Sequence, residues 1–150
     1  MSEIKEKLIE ACAAYVEKKI QTVQHAIDDL EAALKLETKC SMGDKYETGR
    51  AMLHLEFEKL AGQFEEYQKL RKTLRMIPAG KNSSVVGFGT AVKTSMANYF
   101  IAIPAGKILI EGKAFYAVGA AAPVAKALAG KSEGDIVTFN GRELQIEKII

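Results

Sequence analysis

The chain has 150 residues, 48% of them hydrophobic and 27% charged, enough for one or two small domains with a packed core. A net charge of +2 excludes a strongly basic nucleic-acid coat. No apolar run approaches the roughly 20 residues that cross a bilayer, and two cysteines, Cys12 and Cys40, are too few for a disulfide framework.

Charge is spread without a stripe. Residues 1–77 hold 13 Lys/Arg and 14 Asp/Glu, and residues 78–150 hold 8 and 5. Neither half carries the footprint of a nucleic-acid binder, so a protein partner is the better expectation. The opening MSEIKEKLIE mixes both charges and lacks a signal-peptide core. A cytoplasmic location with two free thiols is therefore expected.

A helix is predicted over residues 3 to 40. Ile9, Ala13, Val16, Ile20, Val23, Ile27, Leu30 and Leu34 recur at spacings of four and three, a heptad seam. At about 1.5 Å per residue the helix would be a rod of roughly 50 Å, which buries its stripe only against another helix. Ile4, Leu8, Ala11 and Tyr15 add a second stripe at the N-terminal end, so this end is apolar over a wider arc. His25 falls beside the seam, among exposed positions.

A second helix is predicted over residues 45 to 77, with its seam at Leu53, Phe57, Leu60, Phe64, Tyr67, Leu70 or Arg71, Leu74 and Ile77. Its length matches the first, and the few residues between them favour an antiparallel hairpin within one chain over a parallel dimer of one continuous helix; a monomer is expected. Gly43 and Gly49 oppose a continuous helix, since each costs about 1 kcal/mol in a helix interior. Lys69, Arg71, Lys72 and Arg75 suit a helix C-terminus, and Pro78-Ala79-Gly80 stops it.

Pro78 to Ser84 reads as a linker. Beyond it the pattern becomes strand-like at Val85–Val92, Tyr99–Ile103, Lys107–Ile110, Ala114–Val118, Ile136–Phe139 and Leu144–Ile149, with Asn140-Gly141 as a tight hairpin turn between the last two. Pro123 to Ala129 reads as a short helix with Gly130 past its end. The fold class is α+β: a coiled-coil hairpin at 1–77, a linker at 78–84, and a small, mostly antiparallel β domain with one helix at 85–150.

Two segments resemble a known family. The run Pro123-Val-Ala-Lys-Ala-Leu-Ala-Gly-Lys-Ser-Glu-Gly-Asp135 carries every fixed position of the P-x-x-x-A-L-x-G-K-x-x-G-D signature of bacterial Gre transcript-cleavage factors, and Gly106-Lys107-Ile108 resembles their G-K-I strand start. Gly43-Asp44-Lys45-Tyr46-Glu47 is similar to the first part of their acidic coiled-coil tip, G-D-x-x-E-N-A-E-Y. The chain then departs from the pattern. Thr48-Gly49-Arg50-Ala51 stands where the family has Asn-Ala-Glu-Tyr, so Arg50 replaces an acid.

The resemblance implies an FKBP-like C-terminal domain and a hairpin that enters the secondary channel of RNA polymerase. It implies that Asp44 and Glu47 help hold a Mg²⁺ shared with the polymerase, which then cleaves backtracked RNA in its own active site. The protein itself would not be an enzyme and would bind no cofactor stably. Lys45, Tyr46 and Arg50 would contact the partner or the nascent RNA. Mg²⁺ takes oxygen ligands and keeps several waters, so one or two carboxylates with phosphate suffice, and two metals stabilise both oxygens of a phosphodiester displacement.

The same residues have a structural reading. Asp44-x-x-Glu47 is a capping box with Asp44 at the N-cap, Lys45 a solvated charge, and Tyr46 a packing residue of the turn. Two further functions stay open: a channel-bound inhibitor without cleavage activity, favoured by Arg50, and a prolyl isomerase or chaperone-like module, which rests on fold analogy alone. For the last, Phe88, Tyr99, Phe100, Phe115, Tyr116 and Phe139 are the aromatics available for a proline pocket, and their alternation with aliphatics reads as core.

Other motifs fail on context. Ala129-Gly130-Lys131-Ser132 has Ala125 where a phosphate loop needs its first Gly, and it follows a helix. Gly87-x-Gly89 lacks the third Gly of a dinucleotide fingerprint. Cys40 with His54 makes two soft ligands without a third, and two histidines leave no credible nucleophile set.

Overall fold

The computed structural model describes residues 3–39, 43–78 and 84–150, and of 37–39 and 43–48 the backbone alone. The elements in order are α1 (Glu3–Lys39), α2 (Gly43–Arg75), β1 (Ala91–Thr94), β2 (Asn98–Ala102), β3 (Gly106–Ile110), β4 (Lys113–Gly119), α3 (Pro123–Leu128), β5 (Ile136–Phe139) and β6 (Arg142–Ile149). Helices 3–75 form the N-terminal hairpin and a six-stranded mixed sheet with one short helix follows, the α+β class expected. The chain makes two compact units, one of Val16–Leu70 and one that joins Met1–Tyr15 to Arg71–Ile150.

The helical unit follows its heptads. Val16, Ile20, Val23 and Leu30 are buried on α1. On α2, Leu53, Phe57, Leu60, Phe64, Tyr67 and Leu70 are each half-buried among exposed neighbours. That is the stripe a two-helix hairpin can shield, and no more, because each helix has one partner along this stretch. His25 is exposed.

The seam shifts at the N-terminal end of α1. Leu8 and Cys12 are fully buried, whereas Ile9 is half-buried and Ala13, expected in the seam, is exposed. This end belongs to the unit that holds the sheet, and Lys7 Nζ donates to Glu111 Oε1 at 2.8 Å in the β3–β4 turn. A helix that meets a sheet as well as a helix buries a wider and rotated arc. Glu3 and Glu6 sit in the first turn of α1, and Lys72 and Arg75 in the last turn of α2, where each complements the helix dipole.

The sheet order is β3-β4-β2-β1-β6-β5. Neighbours are antiparallel except β2 and β4, which pair in parallel from Asn98↔Phe115 to Ala102↔Gly119. The β3–β4 hairpin folds back so that β4 slots beside β2. One face carries Val92, Ile101, Val137, Ile146 and Ile149, packed with Val124, Ala125 and Leu128 of α3 and with Val86. The alternate positions Ala91, Phe100, Ala102, Phe115 and Ala117 point to the other face and are equally shut from water. Leu8, Cys12 and Leu74 are buried helical residues of the same unit.

The expected strand over Val85–Val92 is largely absent. Val85 makes an isolated bridge to Ser132, Gly87 to Thr90 form a turn, and the strand begins at Ala91. Gly89 has φ +84°, and the Thr90 hydroxyl both donates to Gly87 O at 2.6 Å and accepts from Gly87 N–H at 3.0 Å. The glycines and this hydroxyl prevail over the β-branched residues. Of the expected linker, residues 79–83 lie outside the described residues.

The run 123–135 is explained by the fold it builds. Pro123 opens α3, Leu128 is fully buried, and Gly130 and Gly134 have φ of +76° and +89°. Asp135 Oδ2 accepts from Ser132 N–H at 2.8 Å. Asn140 and Gly141, with φ of 52° and 74°, make the tight turn predicted between β5 and β6.

Candidate functional site

The hairpin tip is the first candidate. Helix α2 begins at Gly43, two residues before the start that the sequence pattern predicts. The capping box expected of Asp44 and Glu47 rests on side chains outside the described residues. Asp44 and Glu47 are three residues apart in helical backbone, the spacing that sets two side chains on one face. Both lie where the helix dipole favours carboxylates. The side chains of Asp44, Lys45, Tyr46 and Glu47, together with Cys40, lie outside the described residues.

Arg50 is described. It is exposed on α2, and its Nε donates to His54 Nε2 at 3.4 Å, one turn on. A cation thus stands one helical turn beyond Tyr46. Among the described residues, no group of three or more His, Cys, Asp or Glu side chains is placed to hold a metal ion, and no helix is long and apolar enough to cross a membrane.

The second candidate lies in the sheet unit. Met96, Tyr99, Phe139, Asn140, Arg142 and Leu144 line an open cavity of about 360 Å³. It forms where the β1–β2 turn meets the β5–β6 hairpin. The Thr94 hydroxyl shapes that first turn by donating to Ala97 O at 2.6 Å and accepting from Ala97 N–H at 3.1 Å. Tyr99 packs beside Tyr116 with ring centroids 6.2 Å apart and planes tilted by 43°. Burial, and secondarily the Tyr116 oxygen, raises the Tyr99 phenol above its ordinary pKa. It stays a neutral hydroxyl at physiological pH.

The aromatics therefore divide. Phe100 and Phe115 are fully buried core, as their alternation implies, but Tyr99 and Phe139 line a cavity. Sequence reasoning does not find Met96, Asn140 or Arg142 as lining residues. Asn140-Gly141 is legible as a turn, but its placement opposite Met96 depends on long-range strand order.

No family model matches the chain, and no curated protein does. Solved structures do. One is described as the structure of the transcription factor Gfh1, at 18% identity over 93% of this chain and 93% of that one, with a TM-score of 0.36. Another is the crystal structure of GreA factor homolog 1 (Gfh1) protein of Thermus thermophilus, at 18% identity over 87% of this chain and 94% of that one, with a TM-score of 0.35.

Proposed function

We propose that this protein is a regulator of transcription elongation that binds RNA polymerase, presents its hairpin tip to the secondary channel, and stimulates cleavage of backtracked RNA by the polymerase. The observation that carries this reading is the sequence Gly43-Asp44-x-x-Glu47 at the start of the second helix of a hairpin, in a chain that also has the full 123–135 signature. The order of hairpin and α+β domain supports it.

Asp44 and Glu47 offer oxygen donors on adjacent turns of one helix, a donor set suited to Mg²⁺ but too small to hold it alone. The remaining ligands would come from polymerase and RNA. The ion would supply an activated water and charge neutralisation at the scissile phosphate. The role of this chain is to place two carboxylates, with Lys45 and Tyr46 between them as contacts to RNA or polymerase. It has no active site of its own in this reading.

Arg50 favours a second reading, in which the tip occupies the channel without supporting cleavage. A guanidinium follows Glu47 by three residues in the chain and contacts His54. One experiment separates the two. Purified protein is added to stalled, backtracked elongation complexes, and RNA length and polymerase binding are followed together. The cleavage reading expects shortened RNA, lost in Asp44→Ala and Glu47→Ala while binding persists. Binding without shortening, with cleavage gained in Arg50→Glu, supports the inhibitor. Cleavage that survives in both alanine variants overturns the carboxylate mechanism.

A further inference from the structure

The sheet carries a convergence of lysines that the hairpin's function does not use. Lys93 of β1 is the direct cross-strand partner of Lys148 of β6. On its other side Lys93 pairs with Asn98, which in turn pairs with Phe115 of β4. The row Lys148, Lys93, Asn98, Phe115 thus runs across four strands on one face. Lys113, two residues before Phe115, points to the same face beside that row.

Like charges directly opposite on neighbouring strands destabilise a sheet, and this sheet goes further. The register between β1 and β6 shifts after Lys93, so that Thr94 pairs with Ile146 and Glu147 is the extra residue of a bulge. A bulge sets two residues against one. Glu147 and Lys148 both oppose Lys93, and Glu111, bonded to Lys7, lies near enough to Lys113 to feel its charge, so four cations with two carboxylates leave a surplus of two positive charges.

Among the described residues none of Lys93, Lys113 and Lys148 is in a salt bridge with a carboxylate. Lys93 is half-buried on the face that also carries the closed side chains of Ala91, Phe100 and Phe115. Contact with the Lys113 amine, and then burial and the Lys148 charge, push the Lys93 pKa below its ordinary value. Two neighbouring ammonium groups repel, and an anion between them removes the repulsion.

We propose that Lys93, Lys113 and Lys148, with the Asn98 amide, form a binding site for the phosphate groups of a polyphosphate or nucleic-acid chain. Phosphate fits better than a carboxylate because it carries up to two charges and enough oxygens for three ammonium donors. The site reads phosphate and not base. Phe100 and Phe115, the aromatic side chains on this face, are fully buried and give no stacking surface. The inference is independent of the tip and of its acids.

The test titrates the full chain at low salt with inorganic triphosphate in one arm and an unstructured RNA oligonucleotide in the other, by calorimetry and by thermal shift. Wild-type protein is expected to bind at least one of them with Kd below about 1 mM, with the melting temperature rising as ligand is added. Triphosphate binding as tight as RNA binding identifies a small polyphosphate as the source; tighter RNA binding identifies a nucleic-acid chain.

The variant Lys93→Gln/Lys113→Gln/Lys148→Gln is expected to bind about tenfold more weakly or worse, and to lose roughly 0.7 of log–log salt slope on RNA for each phosphate contact removed. Without ligand it is expected to melt no lower than wild type, because it has lost a repulsion. Equal affinity of wild type and variant, or no binding of either ligand by wild type at about 1 mM, overturns the proposal. So does a variant that melts well below wild type without ligand, since the lysines would then stabilise the sheet rather than strain it.

Discussion

Two positions show how much a single residue can decide. At Gly89 the backbone sits at φ +84°, and a Cβ placed there would lie 3.0 Å from Ile77 Cγ2. Conformation and space both resist a side chain, so Gly89→Ala is expected to cost about 1–2 kcal/mol, read from the urea midpoint. Cys12 is fully buried, and burial pushes its thiol from 9.0 up to about 12. The native state then keeps a proton that the unfolded chain releases above pH 9. The stability this thiol contributes is complete below pH 9 and falls by about 1.4 kcal/mol per pH unit through the window up to about 12. Cys12→Ala lacks that titration, so its stability deficit against wild type should shrink between about pH 8 and about pH 10 in urea unfolding. A constant deficit would show that the thiol titrates normally. Neither feature is legible in the sequence. The heptad spacing selects Ala13 over Cys12, and Gly89 stands out only as part of an incomplete nucleotide motif.

Among the elements, legibility tracks the range of the interactions that build each one. The α2 seam from Leu53 to Leu74 is buried or half-buried throughout, because a helix facing one partner needs only its own periodicity. The β5–β6 hairpin is equally plain, since Asn140-Gly141 fixes a turn locally. Helix α1 can be read from Val16 onward but not before it, where the sheet unit begins to share its surface. The parallel pairing of β2 with β4 and the cavity beside Arg142 have no local signal, because each joins segments distant in the chain. The candidate acids at the tip come from motif spacing alone. Gly62 offers a test at this scale. It lies exposed in the interior of α2, and a methyl group on its Cα would meet nothing within 4 Å. Gly62→Ala should stabilise the hairpin by about 0.5–1 kcal/mol, seen as a higher denaturant midpoint with unchanged slope.

For the molecule as a whole, the sheet does not stand on residues 84–150 alone. Its unit includes Met1–Tyr15 and the chain from Arg71 onward. Leu8, Cys12 and Leu74 are buried within this same unit, and a fragment without the helical pieces lacks them. A fragment of residues 84–150 is therefore expected to bind a hydrophobic dye and unfold without a cooperative transition, whereas the full chain does neither. A cooperative melt of the fragment with no dye binding would show that the sheet closes by itself.

The contact between Lys7 and Glu111 closes a separation of 104 residues. On the ribosome, the first turns of α1 emerge long before β4 and β6 exist, so the apolar arc around Leu8 and Cys12 must wait for its partner through most of synthesis. Contacts of such range slow folding, because the chain loses loop entropy before the contact returns any energy. The helical hairpin needs only neighbouring turns and can form early. The order of events written into this chain is hairpin first and sheet last, and the waiting N-terminal arc is the surface a chaperone would meet.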